Sequence, residues 1–130
     1  MGAWGTAAFD NDDASDWVYE LEDGGVAVVD AALDAALEAD QLDGPTDVNA
    51  IAAGEVVAAA RGRPAAGLRD DIAALAAGLT PAITADHARR ARAAAERVLA
   101  ASEVAGLWAE AGDDAEWRGV VNDLIGRLGA

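Results

Sequence analysis

Glu55 is the residue most out of keeping with its neighbours. It lies in the run Ala50-Ile-Ala-Ala-Gly-Glu-Val-Val57. A helix there, turning about 100° per residue, directs its carboxylate to the side of Val48 and Ile51. A carboxylate among apolar side chains must find partners or keep its proton. In a pocket, with a raised pKa, it would serve as a general acid or base. The expected role is structural instead. The small-residue stretch before Asp10 offers backbone N–H groups, and Trp4 offers an indole N–H, so Glu55 should anchor that stretch.

Asp10, Asn11, Asp12, Asp13 and Asp16 are the second candidate. Hard cations such as Ca²⁺ take oxygen ligands of this kind. The EF-hand pattern fails, because its glycine position falls on Ser15 and its bidentate glutamate position on Leu21. The expectation is no metal site, with the acids serving as N-cap and acidic first turn. His87 is the only histidine and Cys is absent, so a transition-metal site is not expected. No nucleophile motif surrounds Ser15 or Ser102, which leaves His87 as a core-edge histidine. Arg89, Arg90, Arg92 and Arg97 concentrate on one predicted helix. They would suit an acidic or phosphorylated partner, but neutralisation by Asp86, Glu96 or facing acidic helices is the expected outcome. Gly24-Gly25 lacks the lysine and the preceding strand of a phosphate-binding loop.

The elements that must position these residues are helices. Residues 1–11 have no helical period. With Trp4 and Phe9 costly to leave in water, they read as an ordered, extended arm packed on the helical body. Ala14, Trp17, Val18 and Leu21 make one apolar face on a helix starting near Asp12 or Asp13 and stopping at Gly24-Gly25. A second helix is expected from Val26 to Ala39, with Asp30, Asp34 and Glu38 facing water. Gly44-Pro45-Thr46 should break the chain and cap a third, Asp47 to Arg61, whose Ala50, Gly54 and Ala58 form a smooth ridge for close backbone approach. A fourth runs from Leu68 to Ala77 and a fifth from Thr84 to Ala101, with Asp86, Arg89, Arg90, Arg92, Glu96 and Arg97 on its polar face. A short helix to Glu110 carries Val104, Leu107 and Trp108. The last helix opens on a capping box, Asp113 with Glu116. Trp117, Val120, Val121, Leu124, Ile125 and Leu128 then fill a narrow arc. No stretch alternates as a strand does. The expectation is all-α: one domain over residues 1–130, a single bundle of about six helices.

Composition narrows the function. The 130 residues carry 24 acidic and nine basic side chains, a net charge of −15. Such a chain repels the phosphate backbone, so no nucleic-acid partner is expected; the charge permits a basic partner protein or mimicry of nucleic acid, and an acidic surface that keeps the chain soluble is the plainer reading. No apolar run approaches the ~20 residues of a membrane span. No basic, apolar leader opens the sequence, and the absence of Cys fits a reducing compartment, so a cytoplasmic location is expected. Met1-Gly2 with Thr6 fits a myristoylation pattern, but the alanine-rich, lysine-free composition points to bacteria, where that modification is not expected.

The opening Met-Gly-Ala-Trp-Gly-x-x-x-Phe-Asp-Asn-Asp-Asp-Ala resembles a bacterial domain-of-unknown-function family, numbered 4259. Ala50 to Val57 resembles a second block of that family, and Ser102-Glu103 with Leu107-Trp108, Trp117 and Asp123-Leu124 a third. The resemblance implies a small bacterial stand-alone domain and supplies no catalytic residues. The leading expectation is therefore a non-enzymatic interaction or regulatory module with no cofactor. The alternatives are an enzyme or small-ligand binder, with its pocket between the arm, Glu55 and the tryptophans Trp4 and Trp108, and a divalent-cation-responsive domain using Asp10 to Asp16.

Overall fold

The structure is a computed structural model that describes residues 12–38, 44–101 and 114–129. These form six α-helices and one 3₁₀ turn, with no strand among the described residues: α1 Asp12–Gly24, α2 Val26–Glu38, α3 Gly44–Ala60, α4 Asp70–Leu79, the 3₁₀ turn Thr80–Ala82, α5 Ala85–Ala101 and α6 Asp114–Gly129. The arm over residues 1–11 and the segment holding Trp108 lie outside them.

Glycine makes the first corner. Gly25, with φ of 65°, takes the left-handed conformation that ends α1, and its N–H reaches the Leu21 carbonyl at 2.9 Å. The single-residue joint turns the chain from α1 into α2. Ala14, Trp17, Val18 and Leu21, the apolar face read from spacing, are all buried.

The third helix starts three residues earlier than expected. Gly44-Pro45-Thr46 forms its first turn instead of preceding it. Proline is tolerated there because the first N–H groups of a helix have no partner within it. From Ala50 to Ala58 every residue of α3 is buried. Over that stretch the helix has no solvent-facing side, and it packs against every other helix described. It is the axis of the core. The smooth ridge has a specific neighbour: a Cβ on Gly54 would stand 3.0 Å from Leu124 Cδ2 of α6. Trp117, Val121, Leu124 and Leu128 of α6 are buried as their period predicts, and all these side chains share one hydrophobic core.

The fourth helix also shifts, to Asp70–Leu79, with Asp70 and Asp71 in its first turn and Leu68 left in the preceding loop. The 3₁₀ turn that follows is tied to α3 by the Thr80 hydroxyl, which donates to the Ala60 carbonyl at 3.0 Å.

Candidate functional site

Glu55 is buried as expected, only 2% exposed. Its partner comes from the far end of the chain. Arg127 of α6 donates Nη1 to Oε2 at 3.0 Å and Nη2 to Oε1 at 2.9 Å, a bidentate ion pair. Arg127 also donates Nε to Asp123 Oδ2 at 2.8 Å and Nη1 to the Arg63 carbonyl at 3.2 Å. Burial pushes the Glu55 carboxyl above its usual range, against the opposing pull of the Arg127 hydrogen bonds and charge. Burial also works against the Arg127 cation, but Glu55 and Asp123 outweigh it and raise its pKa. The arm predicted to satisfy Glu55 lies outside the described residues; within them, α6 does so. Sequence spacing within α3 could not show this, because the partner is 72 residues away. A usable signal was present in α6. Arg127 is three residues past Leu124 and seven past Val120, at the edge of the apolar arc.

His87 occupies a second polar cluster. Thr84 precedes α5 as its N-cap. The backbone N–H of His87 approaches the Thr84 hydroxyl at 3.5 Å, while the Thr84 N–H donates to His87 Nδ1 at 3.1 Å. This is a capping box with histidine in the place of glutamate. Nδ1 must accept that bond, so Nε2 carries the proton. Nε2 lies 2.9 Å from Asp30 Oδ1 of α2, a polar contact too far off line for a good hydrogen bond. The ring is thus a core-edge histidine, with 12% of its side chain exposed.

Arg90 extends this seam. It donates Nη1 to Asp30 at 3.0 Å and Nη2 to Asp34. Arg97 donates to the Ala36 carbonyl near the end of α2, where a cation complements the helix dipole. Two expectations are corrected here. Asp30 and Asp34 do not simply face water, and Arg90 and Arg97 do not sit on the solvent side of α5. Positions 87, 90 and 97 share one stripe along the flank of the apolar face, where a neighbouring helix can reach them. Arg89 and Arg92 do stay outside, paired with Asp86 at 2.6 Å and Glu96 at 3.0 Å.

A row of exposed acids lies on α1. Asp16, Tyr19, Glu20 and Asp23 recur at i, i+3, i+4 and i+7 and are all exposed, with Glu22 exposed alongside. None of these carboxylates has a cationic partner among the described residues. Tyr19, 70% exposed, is the one exposed large apolar side chain among them. Charge order along the chain announces this face. No basic residue precedes Arg61, whereas fourteen of the 24 acidic ones do. The arginines of the second half reach Asp30, Asp34 and Glu55, and the α1 acids from Asp16 to Asp23 have no cationic partner among the described residues.

Trp4, Asp10, Asn11 and Trp108, and the side chain of Asp12, lie outside the described residues, so a site joining them to Glu55 is neither built nor broken by the geometry. Glu55 and His87 belong to separate clusters, in the α3–α6 and α2–α5 contacts respectively. Among the described residues no group of His, Asp or Glu is arranged to hold a metal ion, and no helix is long and apolar enough to cross a membrane.

The sequence model of one family, described as domain of unknown function (DUF4259), matches residues 2–120. No curated protein and no solved structure matches the chain. The chain belongs to the DUF4259 family.

Proposed function

We propose that this DUF4259 chain is a non-enzymatic interaction module of the bacterial cytoplasm that holds a basic partner protein on the outer face of α1. The observation that carries this reading is the stripe Asp16, Tyr19, Glu20 and Asp23, exposed and without a cationic partner among the described residues. A helical row of carboxylates attracts arginines and lysines spaced on a facing surface. An aromatic ring among them adds a face on which a cation can rest. The enzymatic alternative centred on Glu55 has less support. Both its oxygens are engaged by Arg127 and almost none of its surface is open.

Affinity capture from the native host tests the reading, with two baits: the wild-type chain and the triple variant Asp16→Asn, Glu20→Gln, Asp23→Asn. The expected result is a partner of basic isoelectric point that the variant fails to retain, with binding that weakens as salt rises. A partner held equally by both baits would remove α1 as the binding face.

A further inference from the structure

A different surface departs from the rest of the molecule. From Ile72 to Thr84 the chain has no charged residue, in a protein where 25% of residues are charged. Ala73, Ala74, Ala77 and Gly78 of α4 are exposed, as are Pro81 and Ala82 after it. Between this face and the end of α3 runs an open groove lined by Ala59, Ala60, Arg61, Ala73, Ala77 and Ile83, among others.

The end of α3 leaves no free carbonyl facing this groove. The last four carbonyls of α3 are all used: Val57 accepts from Arg61 N–H at 3.1 Å, Ala58 from Arg63 N–H at 2.8 Å, Ala59 from Gly62 N–H at 3.0 Å, and Ala60 from the Thr80 hydroxyl at 3.0 Å. Gly62, with φ of 86°, permits this closure. The negative end of the α3 dipole is therefore capped from within. What remains is an apolar floor with Arg61 at its rim and Arg63 two residues on. Both are exposed, and neither guanidinium has a partner among the described residues. In a chain with 24 acidic and nine basic residues, two arginines without carboxylate partners among the described residues, beside an apolar groove, suit an acid from outside.

We infer that the groove receives α1 of a second copy of this chain. Tyr19 seats its ring on the alanine floor, and carboxylates of Asp16, Glu20 and Asp23 meet Arg61 and Arg63. The two surfaces match in chemistry and in scale. Tyr19 is the exposed aromatic that an alanine-lined hollow accommodates. Acidic side chains one turn apart stand roughly 5–6 Å from each other, and residues 61 and 63 are separated by no more than about 7 Å of backbone. The contact pairs two unlike surfaces of the same chain, so copies damaged on opposite surfaces complement one another.

Sedimentation at ~0.15 M salt, where charges beyond about 8 Å are screened, tests this without the net repulsion of two acidic bodies dominating. The wild-type mass should rise with concentration between about 10 μM and about 1 mM, the range of contacts this small. Two surface variants, Tyr19→Ala with Glu20→Gln and Arg61→Glu with Arg63→Glu, should each remain monomeric while keeping the wild-type circular dichroism. Mixed in equal amounts, they should form a complex of one copy of each. A wild-type chain that stays monomeric at the highest concentration overturns the inference. So does association that survives in either variant, or a mixture that fails to combine. An acidic peptide shifting the groove's amide signals in a monomeric wild-type chain would assign the groove to another protein and likewise overturn it. The second copy and a basic partner compete for the same face of α1; the groove variant abolishes the first contact and leaves α1 intact for the second, so the test is separable from capture of a basic partner.

Discussion

Glu55→Leu tests whether the α3–α6 ion pair governs stability. The substitution removes both acceptors of the Arg127 fork, at 3.0 and 2.9 Å. Arg127 is left with 16% of its side chain exposed and with Asp123 and the Arg63 carbonyl still in reach. Breaking a buried pair on one side costs about 3–5 kcal/mol, and the two surviving acceptors place this case near ~3 kcal/mol. The reverse cut, Arg127→Met, strands Glu55. Its cost should depend on pH, since a carboxyl whose folded pKa is raised binds its proton more tightly in the folded state. That contribution to stability is full below the unfolded pKa and is lost as pH rises through the folded pKa. The Arg127→Met variant should therefore recover part of its loss between pH 7 and pH 5, and Glu55→Leu should not. Glu55→Leu combined with Arg127→Met removes both charges from the core and should return to within ~1 kcal/mol of wild type or above it. Urea unfolding at both pH values reads all of this, with a coupling energy of about 3 kcal/mol or more expected from the double-mutant cycle. A coupling below ~0.5 kcal/mol would refute the reasoning, because the two charges would then be solvated independently in the folded state.

Three further outcomes follow from the same geometry. Gly54→Ala gains about 1 kcal/mol of helix propensity but pushes a methyl to 3.0 Å from Leu124, which is fully buried, so overpacking of about 1–3 kcal/mol should make the variant less stable by thermal melting; a raised melting temperature would show that α6 yields freely. Thr84→Ala and His87→Ala each remove half of the α5 capping box and should cost about 1 kcal/mol apiece, with the double variant costing less than their sum in chemical denaturation. Thermal stability should rise from low salt to ~0.5 M NaCl, because the carboxylates of Asp16, Glu20, Glu22 and Asp23 repel one another with no cationic partner among the described residues; a flat melting temperature would mean that they are neutralised locally.

What the sequence discloses here is mainly what one helix can disclose about itself. The α1 stripe Ala14, Trp17, Val18 and Leu21, the turn at Gly25 and the burial of Glu55 all follow from local period and backbone preference. The start of α3 did not, because Gly44-Pro45 reads as a breaker when proline also suits a first turn. The errors of function were errors of pairing. Asp30 and Asp34 look like solvent-facing residues from α2 alone, and only the approach of α5 brings Arg90 to them. Glu55 declared that it needed a partner without saying which. The order of charge along the chain, acidic before Arg61 and mixed after it, held more information than any single motif, since any cation that neutralises the first half must come from the second.

The enclosed position of α3 has a consequence for motion. A helix buried on every side from Ala50 to Ala58 has no peripheral layer from which to fray. Removing any neighbour exposes part of it, so the bundle cannot shed one helix and keep the axis dry. Amide protons along that stretch should exchange with deuterium only when the whole molecule opens, whereas those at the exposed end of α4 should exchange through small local openings. In this bundle the slowest-exchanging segment and the segment holding the buried carboxylate are the same, so protonation of Glu55 should register in the opening rate of the entire domain.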